Sequence, residues 1–143
     1  MSKRILSLAV LAAILMLALS GCAGAEKLTE YDFDTDKVPS VNAIIGETRK
    51  VTGVSTGIEN GVRYKQYTYR SNSMFDDLLI YSGHLRDSGW MVLKDYDLND
   101  GEGEMQLGLN SADEGKIMII SIAFYSGGYA IRVNKLDGSL TPN

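Results

Sequence analysis

The stretch KIMIISIAFY (Lys116–Tyr125), then SGG (126–128) and YAIRVNK (Tyr129–Lys135), sets the architecture of this chain. Ile117 to Phe124 is nearly all apolar, as expected of a central strand buried on both faces. Ser126-Gly127-Gly128 is a tight turn, and Tyr129, Ile131 and Val133 open the next strand. Upstream, Met105, Leu107 and Leu109 alternate with Glu104, Gln106 and Gly108, the pattern of a one-sided strand over Glu104–Asn110. Trp90–Asp97 reads as one more strand. Spacings this short favour an antiparallel meander over parallel crossovers.

Before the meander, Ser73–Ser88 reads as the one long helix. Ser73 is placed to cap it, with Asp76 three residues on in the capping-box position. Asp76 and Asp77 suit the positive end of the helix dipole and Arg86 the negative end. Met74, Leu78, Tyr81 and Leu85 form an apolar stripe, widened by Phe75 and Leu79. Gly89 terminates it. Gly83 weakens the middle by roughly 1 kcal/mol relative to Ala, which close approach to a sheet would explain.

Earlier still, Lys50–Thr56 and Val62–Arg70 flank Asn60-Gly61, the pair favoured in type I′ hairpin turns. Neither face of this hairpin is purely apolar, which places it toward a sheet edge. Hairpin, helix, meander is an α+β order: an antiparallel sheet of about six strands with the helix on one face. Val41–Ile45 reads as a short helix between Ser40 and Gly46, a short strand being the competing reading. The domain is expected over residues 39–136, with a polar, frayed tail over 137–143. Ala23–Val38 is polar, with Asp32, Asp34 and Asp36 in alternation, and reads as a flexible tether.

Lys3 and Arg4 precede an uncharged apolar run, Ile5–Leu19, and then Leu19-Ser20-Gly21-Cys22. A charged start and an apolar run shorter than the roughly 20 residues of a spanning helix mark a cleaved signal over residues 1–21. With this ending the chain resembles a bacterial lipoprotein precursor, whose lipobox is a Leu, two small residues and a Cys. The resemblance implies a diacylglyceryl thioether on Cys22 and cleavage between Gly21 and Cys22. It implies a mature protein held by its lipid on the extracytoplasmic side of the cell membrane. Ala23, where an Asp would mark inner-membrane retention, points to the outer membrane if the cell has one. Two acyl chains on one residue suffice for stable anchoring.

The 143 residues carry a formal net charge of −4, and losing Lys3 and Arg4 leaves −6. That balance argues against nucleic acid as a partner. The mature part is long enough for one domain, expected to be monomeric, and its single cysteine permits no disulfide within the chain. Asp95-Tyr96-Asp97-Leu98-Asn99-Asp100-Gly101 has the alternating oxygen ligands a calcium site wants. The EF-hand pattern fails, because Asp100 stands where the Gly should be and Gln106 where the bidentate Glu should be. His84 is the only histidine, too few for a zinc site. No metal and no cofactor is expected. No nucleophile elbow or other local catalytic motif is present. Tyr67 and Tyr69, on one strand face, are the candidate binding face, cross-strand pairing being the competing reading. The functional expectation is a non-enzymatic module binding membrane lipid through acylated Cys22 and an envelope protein or glycan. The alternatives are an envelope hydrolase using Asp95 or Asp97, and a structural envelope component.

Overall fold

A computed structural model describes residues 24–142. The expected signal and the expected lipobox with Cys22 lie outside the described residues. The elements, in chain order, are β1 (Glu30–Phe33), β2 (Asp36–Pro39), α1 (Val41–Ile45), β3 (Lys50–Glu59), β4 (Val62–Arg70), α2 (Met74–Asp87), β5 (Met91–Lys94), β6 (Gly103–Asn110), β7 (Lys116–Tyr125) and β8 (Gly128–Asp137). A single 3₁₀ turn at Leu98–Asp100 lies between β5 and β6. Among the described residues no helix is long and apolar enough to cross a membrane.

The fold is α+β. Six strands form one antiparallel sheet in the order β3-β4-β8-β7-β6-β5, and β1-β2 is a separate hairpin. Asn60 (φ 51°) and Gly61 (φ 78°) make the turn between β3 and β4, as the sequence predicts. From the end of β4, α2 carries the chain across the sheet to its far edge. The meander β5 to β8 then walks back until β8 pairs with β4.

One face of the sheet holds the core. Leu78, Tyr81 and Leu85 of α2 meet Met118, Ile120 and Ile122 of β7 and Tyr129, Ile131 and Val133 of β8, all buried. Phe75 and Leu79 do not widen the stripe: both are exposed, Leu79 at 55%. Ser73 makes no side-chain cap. The polar work at this helix start is done by Asp77. Its carboxylate accepts from Ser71 Oγ (2.6 Å), Tyr129 Oη (3.0 Å) and both ends of the Arg49 guanidinium. Gly83 makes no close approach, since a Cβ there would meet nothing within 4 Å. The short helix is as read, with Ser40 Oγ accepting from Ala43 N and Gly46 left-handed behind it.

The tether expectation is corrected by the β1-β2 hairpin. Tyr31, Phe33 and Val38 alternate with Asp32, Asp34 and Lys37, and the three apolar side chains enter the core. Tyr31 stacks on Tyr67 with ring centroids 4.4 Å apart, and Tyr31 Oη lies 2.5 Å from Tyr69 Oη. Asp32 is therefore an outer position of a one-sided strand pair, whereas Asp36, opposite Phe33, shares the inner face with Val38. Asp36 bonds Ser111 Oγ and Lys135 Nζ, both at 2.6 Å, tying the hairpin to β8 and the loop before β7.

β7 is not covered on both faces along its length. Met118, Ile120, Ile122 and Phe124 point into the core, whereas on the other face Ser121 is half-buried and Ala123 exposed. That second face carries a polar row in register across all six strands: Ser55, Gln66, Arg132, Ser121, Gln106 and Lys94. The tail does not simply fray. Leu140 returns over this face, its N–H and C=O both bonded to the Asn110 side chain, and its methyl group lies over Gly108.

Candidate functional site

Tyr67 and Tyr69 do not form a binding surface. They are 7% and 1% exposed, and Tyr69 also stacks on Tyr129. Burial pushes the Tyr69 hydroxyl up to about 12, so it stays protonated. The docking of β1-β2, with Tyr31 against both rings, covers this strand face. The sequence pattern, Lys65-Gln66-Tyr67-Thr68-Tyr69, carries no sign of which face the N-terminal hairpin will cover.

What the hairpin does build is a pair of grooves at one end of the sheet. Phe33 lies beneath Arg63 and Lys65, whose charged groups stand 5.7 and 5.9 Å from the ring centre. Arg63 reaches Asp34 at 2.6 Å and Lys65 Nζ donates to Asp32 O at 2.6 Å, so both cations are held over the ring. On one side, a groove of about 370 Å³ runs past Thr56, Gly57, Ile58 and Tyr64. On the other, a groove of about 390 Å³ runs past Gly61, Val62, Asp113, Lys116, Leu136 and Asp137. Ile58 is 71% exposed beside the first groove. A large aliphatic group at the end of a strand, beside a cation-capped aromatic ring, offers apolar contact and charge together.

Lys135 closes the floor of the second groove. It is nearly buried and paired with Asp36 and Asp113, each at 2.6 Å. Burial tends to lower its ammonium, but the bonds to the two carboxylates outweigh that and raise it. The Lys135 bond in turn holds Asp113 below the usual carboxylate range. The groove floor is thus a fixed unit of one cation between two carboxylates, with one negative charge in excess.

A third groove, about 290 Å³, lies between α2 and the loop after β5. Phe75, Leu79, Tyr96, Leu98 and Met105 give it apolar walls, with Arg86, Asp95 and Asp97 at the rim. The two carboxylates in which the hydrolase alternative was vested are engaged locally. Asp95 pairs with Arg86 at 3.4 Å and accepts from Tyr96 N. Asp97 accepts from the Asn99 backbone and side-chain amides, which hold it below the usual range. Among the described residues no three His, Cys, Asp or Glu side chains are grouped to hold a metal ion. His84 is exposed on α2.

No family model, no curated protein and no solved structure matches this chain.

Proposed function

We propose that this protein is a lipid-anchored, non-enzymatic binding module of the bacterial envelope. In this reading Cys22 carries the lipid outside the cytoplasm, and the grooved end around Phe33 and Arg63 meets a protein or glycan partner. The observation that supports it most is the position of that end. The chain enters the domain from Cys22 beside the start of β3, where Glu26 accepts from Val51 N. The grooves lie at the opposite end of the same strand, beside Ile58 and the Asn60-Gly61 turn. The five to seven steps of about 3.3 Å from Val51 to Thr56–Ile58 put the first groove roughly 16–23 Å away. A surface held that far from its anchor is open to a partner.

Capture from the protein's own detergent-solubilised envelope tests the binding half. Ile58→Asp and Arg63→Glu are expected to lose a partner that the unmodified protein and Leu79→Asp both retain. An identical captured set from all four would refute the assignment of this end. Fatty-acid labelling tests the anchor: Cys22→Ala is expected to lose all label and to remain uncleaved, since no other thiol is present. Label persisting in that variant would refute the lipobox reading.

A further inference from the structure

We propose that the sheet end bearing Lys27, Lys50 and Arg70 rests against anionic head groups of the membrane, so that the domain stands upright on the bilayer. The inference rests on the anchoring of Cys22. It goes further by assigning the surface that touches lipid.

The leash is short. Ala25, three residues after Cys22, is already part of the core. Asn42 Nδ2 donates to Glu26 O at 3.2 Å, and Ser40 Oγ donates to Leu28 O at 2.6 Å. Three residues at full extension reach only about 10 Å. A lipid on Cys22 therefore keeps this end of the domain at the head groups. A leash alone would still let the domain tip onto its side.

The cations select the upright posture. Lys50 and Arg70 are direct neighbours across β3 and β4, and Lys27 follows Glu26, whose carboxylate sits on Val51. All three are exposed. Among the described residues, none of the three meets a carboxylate. Every other described lysine and arginine does, except Lys65, whose ammonium is given to Asp32 O. In a mature chain of net charge −6, the unpaired positive charge is thus gathered where the lipid attaches. At the opposite end Glu114 is exposed and meets no cation among the described residues, while Asp34 and Asp137 are exposed but paired with Arg63 and Lys116. Basic side chains within a Debye length of an anionic leaflet are attracted and acidic ones repelled, so the charge distribution favours one orientation.

Lysine footprinting reads this directly. The lipoprotein is placed in phosphatidylcholine vesicles containing phosphatidylglycerol, then treated with a membrane-impermeant amine reagent. Modification is read residue by residue by mass spectrometry, against the soluble Cys22→Ser protein. Lys27 and Lys50 are expected to lose reactivity severalfold while Lys37 and Lys116 keep theirs. The Lys27 protection should weaken in pure phosphatidylcholine, at high salt, and in a Lys50→Glu, Arg70→Glu variant. Uniform protection, or none, would overturn the proposal, and protection indifferent to lipid charge would overturn the role of the cations. Mass analysis of Cys22 from producing cells separates the two readings. If it bears no lipid, the anchor reading fails. The same footprint on protein coupled through Cys22 to a maleimide phospholipid then decides the geometry of this end alone.

Discussion

Arg49 and Asp77 stand 28 positions apart in sequence and meet as a forked pair, Arg49 donating from Nε and Nη2 to the two carboxylate oxygens at 2.8 Å each. The pair joins the segment between α1 and β3 to the first turn of α2, with the Asp77 side chain 3% exposed. Ser71 and Tyr129 bond the same carboxylate, so four segments of chain converge on one buried charge.

Removing one member leaves the other charge uncompensated. Arg49→Ala should destabilise the domain by roughly 3–5 kcal/mol, the range for breaking a buried pair. Arg63→Ala, which breaks an exposed pair, should cost about 1 kcal/mol or less. Urea melts of the two variants make the comparison, and equal midpoints would show the forked pair to be dispensable.

The same pair sets an acid limit. Burial would raise the Asp77 carboxyl, but the bonds from Arg49, Ser71 and Tyr129 outweigh it and hold the group below its usual value. Asp36 is likewise held low against burial by Lys135, Ser111 and the Ala112 N–H. In the unfolded chain these groups titrate near about 4. Their stabilisation is therefore complete above about pH 4 and is lost as pH falls through the lower folded values. The urea midpoint should drop between pH 5 and pH 2.5, less steeply in Asp77→Asn. A midpoint constant over that range would contradict the assignment.

Leu78 and Leu79 are adjacent on α2 and differ in what they touch. Leu78 is fully buried against the sheet. Leu78→Ala should cost about 2–5 kcal/mol, and Leu79→Ala well under 1 kcal/mol. Thermal or urea unfolding checks the pair, and similar losses would mean that α2 lies differently on the sheet.

Two glycines should respond with opposite signs. Gly83 has open space around its missing Cβ. Gly83→Ala should stabilise the helix by about 0.5–1 kcal/mol. At Gly128 a Cβ would stand 2.1 Å from Tyr69 O, a backbone atom of the neighbouring strand. Gly128→Ala should cost about 1–3 kcal/mol or more, because β8 must shift away from β4. Melting temperatures moving in the same direction would contradict this.

The six strands, the long helix and the short capped helix were legible because each carries a local signal: alternation in β6, Asn60-Gly61 in the hairpin, and Ser40 and Gly46 around α1. The grooved end was not. Tyr31, Phe33 and Val38 are single apolar residues between charges, and four-residue strands offer too few repeats to stand out from a tether. Their burial is decided by a space that α2 and β4 leave open, which no local pattern encodes. Asp77 stands in the first turn as read, but its burial is illegible for a related reason. A carboxylate in the first turn of a helix suits the dipole, and only Arg49, far off in sequence, makes it an interior residue.

The place of β8 between β4 and β7 bears on when the fold can close. The last of the described strands in chain order is an inner member of the sheet, and it alone joins the β3-β4 pair to the β5-β6-β7 group. Until residues 128–137 have emerged, the growing polypeptide holds two unlinked strand groups and an apolar helix face with half its cover missing. Long-range closure of this kind is slow relative to local structure. A nascent chain ending at Tyr125 should therefore stay protease-sensitive.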